Sequence, residues 1–345
     1  MVDTLHFFTG FPGFLTTHLM GGLLEKDPHA RAIALVEQRA LESAKKKLEE
    51  EQWEDRVELR VGDITQDMLA LKDGAELQEK ITHVWHLAAI YDLAVGEEIA
   101  HLVNVEGTKN VIKFTKNLPE LVRFNYISTC YVAGEREGLI FEDELDEGQS
   151  HNNFYESTKF LAEKEVQASD LPYTIFRPAI IVGDSKSGKT EKFDGPYYLF
   201  KLLNDLPSWL PSFNVRSGTT GVNIIPIDFA RDAIVALGTD QNADRMVFHI
   251  CDPNPMLPTD IIALSLSSLG KKPAIASLPN SIFKIASESK NVEKFTGVPK
   301  EVLNYFNYNA AYDASNATQL LGQYGITCPH LSTYLATLID YYETH

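Results

Sequence analysis

The first 25 residues constrain this chain more than any other stretch. Leu5-His6-Phe7-Phe8 reads as a short buried strand. Thr9-Gly10-Phe11-Pro12-Gly13-Phe14-Leu15-Thr16 follows, and an amphipathic helix runs on to about Glu25. Strand, glycine turn, helix is the opening of an alternating α/β chain. The rhythm continues, with strands near residues 5, 33, 58, 84, 124 and 174 and helical patterns near 14–25, 40–51, 97–117 and 153–168. Alternation of this kind predicts an α/β fold with a parallel sheet covered on both faces. After about Gly183 the character changes. Pro, Tyr, Phe and Trp gather between 193 and 213, then a strand at 222–225, a helix from Asp228 and a strand at 247–250 are expected. From about residue 256 the pattern is mostly helical.

The opening turn suits a dinucleotide, which makes the expected sheet a doubly wound, Rossmann-type one. Gly10 allows the tight turn. Gly13 lets the backbone approach a pyrophosphate at the helix N-terminus, where free N–H groups and the dipole favour anions. Thr9, Pro12, Phe14 and Leu15 complete this candidate cofactor site. Thr16 stands where a third glycine is usual, which predicts looser helix–sheet packing or a small helix shift. The second strand, 32–36, ends at Glu37. An acid there binds ribose hydroxyls and repels a 2′-phosphate, which points to NAD. Arg39 and the run Lys45-Lys46-Lys47 point to NADP, since one of them could pair with that phosphate. The cofactor is therefore NAD(P)(H), with NAD against NADP open. Glu49, Glu50 and Glu51 follow the lysine run, so a solvated helix face explains it equally. Asp63, beside Ile64, could receive the adenine amino group. Leu87, Ala88 and Ala89 offer small residues where the dinucleotide would pass. His86 reads as a packed strand-end histidine.

Tyr155 and Lys159 are four residues apart, one turn from each other on a helix face. An ammonium so placed could lower the phenol's pKa and let tyrosine exchange a proton with a carbonyl near neutral pH. A surface helix pair is the plain alternative. Upstream, the strand Phe124-Asn125-Tyr126-Ile127 ends in Ser128-Thr129, where strand ends carry ligands in open parallel sheets. Asn104 lies on the helix before that strand, as a solvated residue or as the holder of a proton-relaying water. Gly183-Asp-Ser-Lys-Ser-Gly188-Lys189-Thr190 matches a complete phosphate-loop pattern. No clean helix opens at Thr190, and the strand that should carry the second nucleotide motif is broken by Pro226. A loop at the cleft mouth is expected instead, where Lys186, Lys189 or Lys192 could meet a substrate phosphate.

With 345 residues, 44% of them apolar, the chain can bury a large core. A net charge of −17 disfavours nucleic acid and anionic membranes as partners. No apolar run reaches the roughly 18 residues of a membrane span, and the first strand leaves no room for a signal peptide. Cys130, Cys251 and Cys328 read as reduced thiols, so a cytoplasmic location and no metal site are expected.

Taken in order, these motifs resemble the extended short-chain dehydrogenase/reductase superfamily. The carriers are the turn from Thr9 to Leu15, Gly62-Asp63, His86-Leu87-Ala88-Ala89, Asn104-Val-Glu-Gly-Thr, Ser128-Thr129, Tyr155-x-x-x-Lys159 and Arg177-Pro178. Gly13-Phe14-Leu15, Ile127-Ser128-Thr129 and the stretch from Arg177 to Ser185 resemble the branch of fatty acyl-CoA reductases, male-sterility proteins and thioester reductases. That branch usually has Arg where Glu37 stands. The resemblance implies Tyr155 as proton donor and Lys159 as binder of the nicotinamide ribose. It implies Thr129 (or its neighbour Ser128) as donor to the substrate carbonyl, Asn104 as relay residue and Pro178 near the nicotinamide. It also implies a homodimer through the helices of Asn104 and Tyr155. The expected organisation is a dinucleotide domain at 1–183 with segments returning near 222–251, and a substrate lobe at 184–221 and 252–345. The apolar series Phe193, Tyr197, Tyr198, Leu199, Phe200, Leu202, Leu203, Trp209, Leu210, Phe213 is lobe core or, in part, pocket lining. In the second case the substrate is hydrophobic, and the expected activity is reduction of an aldehyde or acyl thioester, or the reverse alcohol oxidation. A sugar-nucleotide epimerase or dehydratase and a non-catalytic NAD(P) sensor are the alternatives.

Overall fold

The computed structural model describes residues 4–71, 78, 80–91, 95–205, 213–215, 220–274, 276–278 and 309–345. Its strands are β1 (Leu5–Thr9), β2 (Arg31–Val36), β3 (Val57–Val61), β4 (His83–His86), β5 (Arg123–Ile127), β6 (Gly138–Ile140), β7 (Tyr173–Pro178), β8 (Ile180–Val182), β9 (Phe213–Val215), β10 (Ile224–Pro226), β11 (Met246–Ile250), β12 (Ala276–Leu278) and β13 (Ala310–Tyr312). Its helices are α1 (Phe14–Lys26), α2 (Leu41–Glu51), α3 (Glu97–Ala100), α4 (Gly107–Thr115), α5 (Phe154–Gln167), α6 (Tyr197–Asp205), α7 (Ile227–Gly238), α8 (Pro258–Ser268), α9 (Ser315–Leu321) and α10 (Leu335–Thr344). A wider π-helical segment, His101–Glu106, joins α3 to α4.

Seven strands form one parallel sheet in the order β11-β7-β5-β4-β1-β2-β3. The α/β, doubly wound sheet predicted from the alternation is therefore the observed fold. Side chains alternate across a strand, and both faces are buried. Phe8, Trp85, Phe176 and Phe248 meet α1 and α7 on one face. Phe7, Val84, Phe124 and Ile175 meet α4 and α5 on the other. Each such side chain contributes roughly 1.5–3 kcal/mol by leaving water. The chain runs outward from β1 to β3 and then returns to β4 on the other side of β1. That reversal opens a crevice beyond the carboxyl ends of β1 and β4.

Three further strand pairs stand apart from this sheet. β8 pairs with β10, β9 with β12, and β6 with β13, all in parallel. A separate hydrophobic core includes Val182, Tyr197, Phe200, Ile261, Tyr334 and Leu338. Phe193 packs against it, and Leu203 is buried with Ile262 and Leu266. These members of the apolar series are thus core residues. Trp209 and Leu210, and the side chain of Phe213, lie outside the described residues. No described helix is long and apolar enough to cross a membrane, and no described cluster could hold a metal.

Candidate active site

The glycine turn after β1 sits directly on the end of β4. Gly10 has φ +91°, and a Cβ added there would lie 2.9 Å from the Ala88 nitrogen. Only glycine fits that approach without strain. The Gly13 N–H donates to the Gly10 carbonyl at 2.8 Å. A Cβ on Gly13 would stand 2.7 Å from that same oxygen. Gly13 caps α1 with no side-chain partner, and no acid lies in the first turn. Half-buried Phe14 and Leu15 open the helix behind it, and Pro12 is half-buried in the turn. This bare cradle suits a pyrophosphate. Thr16 corrects the expectation of loose packing. It is buried, and its hydroxyl donates to the Gly10 carbonyl at 3.1 Å, so it pins the turn that a glycine would only have allowed. Gly13→Ala is expected to weaken dinucleotide affinity roughly tenfold or more and to lower the melting temperature, because its Cβ would press on the Gly10 carbonyl. A fluorescence titration with NADH checks it, and unchanged affinity would remove the turn from the site.

The end of β5 meets α5. Asn153 caps α5 by accepting from the Glu156 N–H at 2.9 Å, and Glu156 reaches back to the Asn152 N–H at 2.9 Å. This reciprocal cap fixes the first turn and with it Tyr155. The Tyr155 hydroxyl lies beside the side chain of Thr129. Ser128 turns away and donates to Glu163 at 2.5 Å. Of the two neighbours, Thr129 is therefore the one beside Tyr155. Lys159, buried, donates to the Ile127 carbonyl at 2.6 Å and lies over the Tyr126 ring at 4.2 Å. Burial lowers its ammonium to about 7, with Glu163 opposing. Burial also pushes the Tyr155 phenol up to about 12, against the opposing pull of the neighbouring Thr129 side chain and with Glu156 adding to the rise. The expectation that Lys159 holds this phenol low is not met, because the ammonium is aimed at Ile127 and loss of water dominates. Tyr155 thus keeps its proton at neutral pH.

Asn104 lies in the π-helical segment and is buried. Its Oδ1 accepts from the Ile90 N–H at 2.8 Å, and its Nδ2 donates to the Ile90 carbonyl at 3.1 Å and to Thr158 at 3.0 Å. Both amide hydrogens are taken, so the side chain holds the strand-end loop to α5. It is buried, not solvated. Beneath it, Thr9 accepts from the N–H groups of Leu87 (3.2 Å) and Ala88 (3.0 Å), so its proton goes to His86 Nδ1 at 2.8 Å. The other ring nitrogen then donates to Thr108 at 2.9 Å, and Thr108 donates to the Asn104 carbonyl at 2.6 Å. Burial, aided by the Lys159 charge, lowers His86 to about 3, so it is neutral and structural. Ala89 is half-buried beside this floor, and Pro178 closes β7 in the buried interior.

Toward the β2 end, Arg39 forms an ion pair with Glu37, both exposed. The two residues that argued for different cofactors are thus partners. Lys45 pairs with Glu42, and Lys46 and Lys47 with Glu50, as a solvated face does. Asp63 Oδ1 accepts from the Thr65 N–H and hydroxyl, both at 2.8 Å, and Ile64 is buried against Gly107. The phosphate-loop pattern forms no phosphate loop. Asp184 fills it, accepting from the N–H groups of Lys186 (3.1 Å) and Ser187 (2.8 Å), and no helix begins before Tyr197. This loop reaches back to α2 and to the segment after β4 instead. Glu191 pairs with Lys47 at 3.0 Å, and Lys192 donates to Tyr91.

Fold and turn define a dinucleotide-binding protein of the extended short-chain dehydrogenase/reductase kind. Residues 8–234 match the model of an NAD-binding family described as male sterility protein, and the chain belongs to that family. It is 26% identical over 266 residues to the alcohol-forming fatty acyl-CoA reductase of Simmondsia chinensis, covering 59% of this chain and 53% of that one. It is 24% identical over 362 residues to a linear gramicidin synthase of Brevibacillus parabrevis, covering 97% of this chain and 7% of that one. The chain thus spans about half or less of these relatives' lengths. In structure it is similar to the terminal R domain from the myxalamid PKS-NRPS biosynthetic pathway. The TM-score is 0.81 with 23% identity, over 99% of this chain and 90% of that one, a likeness of fold.

Proposed function

We propose that the chain is an NAD(P)H-dependent reductase of a hydrophobic carbonyl, an aldehyde or an acyl thioester. The single observation that carries this reading is the placement of the Tyr155 hydroxyl beside Thr129 at the β5 end, with Lys159 one turn further along α5. The residues that would hold the dinucleotide are those of the turn from Thr9 to Leu15, with Glu37 and Asp63 on the adenosine side. The dinucleotide, when bound, supplies hydride. The chain's own residues do the rest. Thr129 orients the carbonyl oxygen by hydrogen bonding, and Tyr155 gives it the proton that hydride addition requires. A phenol held near 12 is protonated at neutral pH, the form that can give a proton. Lys159, held at the Ile127 carbonyl one turn further along α5, would bind the nicotinamide ribose. The substrate class rests on family membership and on the names of the relatives, which are reductases of fatty acyl thioesters among others.

The test is oxidation of NADH and NADPH, in parallel, with a medium-chain aldehyde and its acyl-CoA. Turnover of the aldehyde is expected with at least one cofactor, and the acyl-CoA arm separates thioester from aldehyde reduction. Cofactor binding with neither substrate consumed would overturn the reading. Tightly held NAD together with UDP-sugar binding would then favour the epimerase alternative, and silence over a broad carbonyl panel would favour the sensor.

A further inference from the structure

Three consecutive residues at the end of β5 face three successive turns of α5. Ile127 binds Lys159, Ser128 binds Glu163, and Thr129 lies beside Tyr155. We propose that Glu163 is a positioning residue of the site: its buried carboxylate locks the end of β5 onto α5 so that Thr129 faces Tyr155, and it balances the buried cation of Lys159. The inference rests on the roles read above for Tyr155 and Lys159.

Glu163 is wholly buried, as is Arg177. Arg177 Nη2 and Nε donate to Glu163 Oε1 at 2.6 and 3.0 Å, and Gln167 donates to the same oxygen at 3.2 Å. Arg177 Nη1 is held in turn by the Glu142 carbonyl at 3.3 Å and by His249 Nε2 at 3.2 Å. The carboxylate therefore has one fixed place. An ion pair serving only the core would need no third partner. Glu163 gives Oε2 to Ser128, the residue between the acceptor of Lys159 and the partner of Tyr155. A slip of β5 along α5 would break this bond together with the Thr129–Tyr155 contact.

The charge argument follows from what surrounds the pair. Besides Tyr155 on their own helix, His86, Tyr126, Arg177 and His249 face them from β4, β5, β7 and β11. Cys130 and Tyr173 also feel Glu163, and Glu142 stands behind Arg177. Burial keeps both histidines, the tyrosines and the thiol neutral near pH 7. Glu142 is itself pushed up to about 7 by burial. Glu163 is thus the chief counter-charge for two buried cations, Lys159 and Arg177.

The folded pKa of Lys159 lies below its unfolded value of about 10.4. The unfolded chain then binds more protons above about pH 7, and stability rises with pH over that window. Without Glu163 the window opens lower. The experiment compares wild type, Glu163→Gln and Ser128→Ala, each also carrying Lys159→Met, by melting temperature across pH and by kinetics with NADH and the aldehyde. In Glu163→Gln, the Lys159-dependent rise in melting temperature is expected to begin about one pH unit lower, and the basic limb of kcat/KM to move by the same amount. Its kcat should fall roughly tenfold or more with KM within about threefold. Ser128→Ala removes only the hydroxyl. It should lower kcat by about tenfold and leave the basic limb in place. An unmoved limb and melting profile in Glu163→Gln, or wild-type kcat in Ser128→Ala, would overturn the proposal. If Glu163→Gln does not fold, Ser128→Ala still decides whether β5 is held this way. If wild type reduces no carbonyl, the functional reading fails, while the melting profiles still report on Glu163 and Lys159.

Discussion

Replacing Tyr155 with phenylalanine is expected to lower kcat for aldehyde reduction by about a thousandfold, within the range that general acid catalysis supplies. Only the hydroxyl is lost. The ring stays on the first turns of α5, whose cap at Asn153 and Glu156 is untouched. Thr129 keeps its oxygen beside the site, and it still accepts from the Tyr131 N–H at 3.3 Å. A threonine hydroxyl is far too weak an acid to replace a phenol, so orientation survives and proton delivery does not. NADH affinity should stay within about threefold, because the glycine turn is two strands away. Stopped-flow reduction together with a fluorescence titration separates the two quantities. Full turnover in Tyr155→Phe with intact cofactor binding would remove tyrosine from the chemistry.

The second large effect is one of stability. Arg177→Met should destabilise the fold by roughly 3–5 kcal/mol, because it leaves a buried carboxylate without its cation. Methionine fills much of the arginine's volume, so the loss reflects charge more than a cavity. The bonds lost include those to Glu163 at 2.6 and 3.0 Å and those to the Glu142 carbonyl and His249. Urea unfolding measures it directly. Adding Glu163→Leu should cost much less than the sum of the two single changes, since neither charge is then stranded. Additive losses would mean that the two side chains are not energetically coupled.

Much of this arrangement was legible in the sequence, and the reasons differ from part to part. The alternation of apolar runs and helical patterns revealed the sheet because each buried strand must be followed by a covering helix. Gly10 and Gly13 were legible because close backbone approach leaves few other residues. The Tyr155–Lys159 spacing identified one helix face, and the same four-residue step leads on to Glu163. That further step was open to the same reasoning, and the carboxylate was missed because a lone glutamate on a helix usually faces water. Three features were not legible. The π-helical segment turns Asn104 inward onto Ile90, and an α-helical spacing rule cannot foresee a wider turn. The choice between Ser128 and Thr129 depends on which way each side chain leaves the strand end. Asp184 closes the phosphate-loop pattern upon itself, which depends on the loop's conformation and not on its glycines.

The bonds that build the two halves of the site differ in how much chain they enclose. Lys159 and Glu163 reach back only 32 and 35 residues to Ile127 and Ser128. Thr9 must find His86 across 77 residues. Closing a longer loop costs only slightly more entropy, but contacts of long range form late when a chain folds. The half that holds Tyr155 and Lys159 therefore belongs to a single strand–helix unit and can assemble as that unit does. The dinucleotide cradle exists only once β4 has been laid beside β1, so its appearance marks completion of the sheet.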